Sequence, residues 1–288
     1  MTIDLPAGIA SERARRQLSN IRHVALDMDG TIYTNKTLFK TTVPFLALLG
    51  RLQVSHTFLT NNPSKSTAEY LAHLSAMGIP ARAEHLYSST HATIDFLKSK
   101  FPHVRRLFVL GTTGLCDELK AAGFELTPDD PAAPPEAVLV GFDKTLTYPR
   151  LCRAAWWIKQ GKPYFATNPD RVCPTDEPTV LVDCGSITAA LETATGIKPQ
   201  AVLGKPDPAM LHGILQRHAI GPENLAMVGD RLYTDMEMAH RAGALGVLVL
   251  TGEATAAEAA AHVPTPDLIV PTLAEFGELL QAHASSKP

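Results

Sequence analysis

Short apolar runs alternate with helix-length amphipathic stretches along most of this chain, and run after run stops at a cluster of small polar or acidic residues. Val24-Ala25-Leu26 stops at Asp27-Met28-Asp29-Gly30-Thr31, residues 54–59 at Thr60-Asn61-Asn62-Pro63, and residues 225–228 at Gly229-Asp230. A brief run without polar alternation is what a strand covered on both faces requires, and the stretches between the runs supply the cover. The pattern predicts an α/β fold built on a doubly wound parallel sheet.

Helices are read at residues 10–20, at Thr42–Arg51 with Pro44 in the first turn, and at 64–77, capped by Ser64 or Ser66 and stopped by Gly78. A second register occupies the middle of the chain. It has helices at 91–100, 114–122 and Tyr148–Lys159, and strands at Arg106–Leu110, Ala137–Val140, Tyr164–Ala166 and 180–182, with a proline-rich loop at 127–136. The first pattern then returns, with helices at 187–194, 208–218 and 232–242 and a closing helix. Strands are read at 201–203, 225–228, 246–250 and Leu268–Val270, and the Ala-rich stretch 254–261 reads as a surface helix. The chain therefore divides into a discontinuous core, residues 1–84 and 185–288, and an inserted smaller α/β unit, residues 85–184. The insert echoes the first strand end in Val138-Leu139-Val140-Gly141-Phe142-Asp143, but Gly141 stands where Asp27 does, so it cannot run the same chemistry.

Composition narrows the possibilities. Of the 288 residues, 45% are hydrophobic and 19% charged, enough for a substantial core. A net charge of −3 gives no basic field for nucleic acid. No run is long enough to span a bilayer, and the first residues lack an apolar signal core. Cys116, Cys152, Cys173 and Cys184 are scattered and no histidines stand at zinc spacing, so the cysteines read as reduced thiols of a cytoplasmic protein.

Ligands of open parallel sheets bind beyond the carboxyl ends of the strands. Those ends carry Asp27-x-Asp29, Thr60-Asn61, Gly204-Lys205 and Gly229-Asp230, with Asp235 following. Two acids as close as Asp27 and Asp29 repel unless a cation or shared proton neutralises them, and their spacing suits a nucleophile beside a proton carrier. Several carboxylates with one lysine call for a hard cation, and oxygen-only ligands favour Mg²⁺. Mg²⁺, Lys205, the Thr60 hydroxyl and the Asn61 amide together form what a moving phosphoryl group needs.

The ordered segments Asp27 to Thr31, Leu59 to Asn62, Gly204 to Pro206 and Gly229 to Asp235 resemble the four motifs of the haloacid dehalogenase superfamily of phosphatases. The insert, with residues 141–148 and 167–170, resembles that of the subfamily containing p-nitrophenyl phosphatase, phosphoglycolate phosphatase and the NagD-like phosphatases. The resemblance implies a Rossmann-like core with a mobile α/β cap, and Mg²⁺-dependent hydrolysis of a small phosphorylated metabolite. Asp27 would become an aspartyl phosphate, and Asp29 would protonate the leaving alcohol and then activate water. Thr60, Asn61 and Lys205 would hold the phosphoryl oxygens. Asp27, the Asp29 carbonyl and Asp230 would bind the metal, with Asp235 behind them. Asn168 and Asp170 would reach into the site from the cap, with Asp143 behind. The resemblance also leaves room for a homodimer formed through the cap. A lone glycine in Asp183-Cys184-Gly185-Ser186 departs from the glycine-rich turn of the relatives. Two other activities use a similar kit: receiver-like storage of phosphate on Asp27, and phosphoryl transfer to an acceptor other than water.

Overall fold

The computed structural model describes residues 12–34, 37–173, 175 and 177–284. In chain order its strands begin with β1 (His23–Asp27), the hairpin β2 (Tyr33–Thr34) and β3 (Thr37–Leu38), β4 (Ser55–Thr60) and β5 (Leu86–Ser88). There follow β6 (Arg106–Leu110), β7 (Glu125–Leu126), β8 (Ala137–Val140), β9 (Tyr164–Ala166) and the hairpin β10 (Val172–Cys173) and β11 (Leu181–Val182). The last are β12 (Ala201–Val202), β13 (Leu225–Gly229), β14 (Leu245–Val249) and β15 (Leu268–Val270).

The larger sheet has the order β15-β14-β13-β1-β4-β5 and is parallel throughout. From β1 the chain winds outward to β4 and β5, and later from β13 outward to β14 and β15. The winding therefore reverses between β1 and β13, and the loops leaving their carboxyl ends part there to open a crevice. Side chains alternate across β1: Val24 and Leu26 pack with Phe58, Val228 and Val247 on one face, while Ala25 packs with Leu59, Met227 and Met210 on the other. Burial on both faces is why these runs read as continuously apolar.

The second sheet, β12-β9-β8-β6-β7, is also parallel and lies between two cores of its own. Sheet membership corrects the borders read at 85 and 185. Residues 86–88 pair with β4 in the larger sheet, and Ala201–Val202 pairs with β9 in the smaller one. The helix Cys184–Thr195 buries Cys184, Ile187 and Leu191 against the smaller sheet as well. Both misplaced strands are two or three residues long, and β5 runs straight into a helix that Ser88 caps, so no turn residues mark its end. That helix, Ser89–Lys100, belongs to both units: Ala92 joins the larger core, Ile94 and Leu97 the smaller.

Other expectations change in detail. The first helix spans Glu12–Leu18; residues 10 and 11 of the stretch read as helical lie outside the described residues. The helix placed at 64–77 spans Thr67–Ala76, with Ser66 and Glu69 forming a reciprocal capping box. The stretch 232–242 divides into a π-helical turn, Leu232–Met236, and an α-helix, Glu237–Ala242. No helix among the described residues is long and apolar enough to cross a membrane.

Candidate active site

Alternation along the last turn of β1 decides what reaches the crevice. Met28 is buried, while Asp27 and Asp29 on either side of it line a cleft of about 490 Å³. Gly30 follows with φ +83°, and a Cβ there would fall 2.4 Å from Asp230 Oδ2, so only glycine lets the β1 and β13 loops meet this closely. Thr251 ties the same turn by donating its hydroxyl to the Gly30 carbonyl at 2.6 Å.

Lys205 is the electrostatic centre. Its ammonium donates to Asp27 Oδ1 and lies 2.8 Å from Asp235 Oδ1, with only 3% of the residue exposed. Burial would pull this lysine down, but the two carboxylates outweigh it and hold the ammonium above its ordinary value. Asp235, buried beneath, is pushed up to about 6 by burial against the pull of Lys205, and accepts from the Arg231 amide at 3.2 Å. Asp230 is pushed up to about 7, by burial and then by the charges of Asp27 and Asp235. Its Oδ2 accepts from the Glu253 amide at 2.8 Å, whereas Oδ1 is buried with no hydrogen-bond partner among the described residues.

Carboxylate oxygens of Asp27, Asp230 and Asp235 all lie within 4.8 Å of one another. An orphaned buried oxygen beside two more carboxylates and one lysine fits an oxygen-bound divalent cation. Asp29 lines the cleft outside this carboxylate cluster.

The remaining expected residues divide. Thr60 lines the cleft, its hydroxyl oxygen accepting from the Asn62 amide at 3.2 Å. Asn61 also lines it, but its side chain is otherwise engaged. Its Nδ2 donates to the Lys205 carbonyl at 3.1 Å and to Asp170 Oδ2 at 3.1 Å, and its Oδ1 accepts from the Lys205 amide at 2.6 Å. The Asn61 side chain thus braces the Lys205 loop and the insert, where a phosphoryl contact was expected. Asp170 reaches the cleft as read from the sequence. Asn168 does not: it is fully buried, donating to Asp170 at 3.2 Å and accepting from the Thr167 hydroxyl. Asp143 does not reach it either; it is ion-paired with Arg150 at 2.8 Å and caps Thr145. Both polar side chains are consumed inside the insert, largely by bonds to close sequence neighbours.

The lone Gly185 has a structural reason. A Cβ there would fall 2.2 Å from the Pro169 carbonyl, and its amide donates to the Asp170 carbonyl at 2.7 Å, so it holds the turn that presents Asp170. Neighbouring Cys184 is packed and bonded to the Val140 carbonyl, its thiol pushed up to about 11 by burial, which removes it as a reactive group. Sequence reasoning missed Arg231, a half-buried cation paired with Glu253 at 3.0 Å, although it directly follows Asp230. It also missed Lys65, Lys144 and Cys173, whose place in the cleft depends on how the insert folds back.

Comparison with known proteins decides the family. A haloacid dehalogenase-like hydrolase model matches residues 24–125, and a second HAD-hydrolase-like model matches residues 202–276. Human chronophin is 32% identical, the match covering 93% of this chain and 96% of that protein. The chain belongs to the haloacid dehalogenase-like hydrolases. Among solved members of this family, the 4-nitrophenylphosphatase of Thermotoga maritima superposes with a TM-score of 0.85 at 37% identity, over 91% of this chain and 98% of its own. The glycerol phosphate phosphatase of Mycobacterium tuberculosis, solved in complex with calcium, gives a TM-score of 0.80 at 32% identity, over 90% and 76%. This hydrolase is a phosphoric monoester hydrolase, as are relatives of this similarity. Its Rossmann-like core carries the strand ends that meet at the cleft.

Proposed function

We propose that the protein hydrolyses phosphate monoesters of small metabolites with Mg²⁺ as its cation, through a phosphoryl group carried on Asp27. The observation that carries this reading is the trio at the crevice: Asp27 held by Lys205, beside the unpartnered oxygen of Asp230. Asp27, Asp230 and the Asp29 carbonyl would hold Mg²⁺, which when bound supplies positive charge beside the moving phosphoryl group. An Asp27 carboxylate oxygen bonds to phosphorus while the ester P–O bond breaks, and Asp29 gives its proton to the departing alcohol. Asp29, now a carboxylate, takes a proton from water, whose oxygen attacks the same phosphorus and frees Asp27. Lys205 and the Thr60 hydroxyl stabilise the oxygens on which charge builds. Asp29 beside Asp27 favours turnover over storage of phosphate.

The insert acts as a cap. Asp170 reaches across to Asn61, and the cleft between the two units suits a metabolite better than a protein substrate. Four free thiols are compatible with a reducing cytoplasm. With Mg²⁺ the wild-type protein should hydrolyse p-nitrophenyl phosphate, and Asp27→Asn should lose at least about 10³-fold in kcat. Activity surviving that substitution would remove Asp27 as nucleophile.

A further inference from the structure

Two lysines that the mechanism does not use line the same cleft, one from each unit. Lys65 stands between the Thr60 turn and the helix Thr67–Ala76. Its segment is pinned from several directions. The Ser64 amide donates to Asn62 Oδ1 at 2.9 Å, the Thr112 hydroxyl donates to the Ser64 carbonyl at 2.8 Å, and the Thr67 amide donates to Glu118 at 2.6 Å. The Lys65 ammonium itself lies 5.5 Å from the centroid of the buried Tyr70 ring. Lys144 sits at the tip of a turn closed by Asp143, whose Oδ1 accepts from both the amide and the hydroxyl of Thr145 at 2.8 and 2.7 Å. Asp143 is in turn fixed by Arg150. Two braced turns on different sheets thus bring lysines to one opening.

Neither lysine forms an ion pair among the described residues, although Glu177 and Asp183 share the cleft. Burial lowers the Lys65 ammonium from its ordinary value and the charge of Lys144 adds to this, against the opposing pull of Glu69. Two like charges facing one half-buried opening repel, and an anion placed between them relieves that repulsion. The phosphoryl group that reacts is taken by Asp27 and Lys205, so a second anion held by Lys65 and Lys144 belongs to another part of the substrate.

We infer that the substrate is a phosphate ester whose alcohol portion carries a second anionic group, a carboxylate or a second phosphate, bound between Lys65 and Lys144. This rests on the reading of Asp27, Lys205 and Asp230 as the phosphoryl site, and it narrows the substrate class of that site. Lys65 and Lys144 are then specificity-determining residues.

The test uses matched pairs differing in the second anion: 2-phosphoglycolate against 2-hydroxyethyl phosphate for the carboxylate, and fructose 1,6-bisphosphate against fructose 6-phosphate for the phosphate. Affinity is measured by calorimetry on the Asp27→Asn protein with Mg²⁺, so the result does not depend on turnover. In at least one pair the doubly anionic member should bind at least about 10-fold more tightly, and Lys65→Met or Lys144→Met should each bring the ratio within that pair toward one. Equal affinities in both pairs, or a ratio that survives both substitutions, would overturn the inference. Failure of the wild-type protein to hydrolyse p-nitrophenyl phosphate would instead strike the phosphatase reading, leaving the binding comparison to stand by itself.

Discussion

Lys205 shows how one side chain serves both stability and chemistry. It neutralises Asp27 and Asp235 at the bottom of the cleft, where burial makes an unpaired carboxylate expensive. Lys205→Met should therefore destabilise the metal-free protein by about 3–5 kcal/mol, the range for breaking a buried pair from one side. Chemical denaturation in EDTA at neutral pH checks this, and a loss below about 1 kcal/mol would show that the cluster relaxes or takes up protons instead. At this scale the sequence was informative wherever a residue's part follows from its place at a strand end. Asp27, Asp29, Lys205, Asp230 and Asp235 were legible for that reason, and the structure brings them to one crevice. Asn61, Asn168 and Asp143 were misread because the partners that occupy their side chains come from distant segments or from a turn whose geometry no spacing encodes. Lys65 and Lys144 were invisible for a related reason: a lone lysine in a polar loop looks like any solvated charge.

At the scale of elements, the sheet that gathers acids at its carboxyl end gathers histidines at the other. His23 opens β1 and His56 lies at the start of β4, and their neighbours are His218 and His85, with ring centroids 4.1 Å from His23 and 4.9 Å from His56. His23 is fully enclosed, bonded to Ser55 and Thr57 at 2.9 Å each. Burial first, and then the neighbouring imidazoles, lower His23 to about 3 and His56 to about 4. Burial, and then Arg217 beside His218 and Arg82 beside His85, lower those rings too, with Glu84 opposing at His85. All four are bases whose charging the fold resists. An unfolded chain takes up their protons below about pH 6.5 while the native fold does not, so their contribution to stability is complete above that pH and is lost as pH drops toward 4, whereas Asp230 and Asp235, pushed up to about 7 and about 6, act in the opposite sense. Each ring kept neutral contributes a slope of up to about 1.4 kcal/mol per pH unit in that window. In thermal melts between pH 7.5 and 5, His56→Phe, which keeps an aromatic ring against Phe58, should remove part of the wild type's acid-sensitive slope and so lose less stability on acidification. An unchanged slope would mean that the cluster opens to solvent without cost. The long strands of the larger sheet were legible because both faces are buried; β5 and β12 were not, being too short to carry a pattern and placed by partners rather than by composition.

The whole molecule is two parallel sheets joined so that one provides a reactive crevice and the other overhangs it. Asn61 is one joint between them, since the same amide touches the Lys205 backbone and Asp170 of the insert. An insert acting as a cap there would exclude water from the reacting oxygens and strengthen the charge interactions around Asp27. The alternation of strand and helix announced this architecture, whereas the division of residues between sheets and the cap's contact with Asn61 emerge only when the chain is folded. The account stands on the claim that phosphate is carried by Asp27 and released with the help of Asp29. Rapid acid quench of the Asp29→Asn protein after mixing with p-nitrophenyl phosphate and Mg²⁺, followed by peptide mapping, tests it most directly. A phosphoryl group accumulating on Asp27 is the result the account predicts; no phosphoryl-protein while substrate is still turned over, or one carried on another residue, would contradict it.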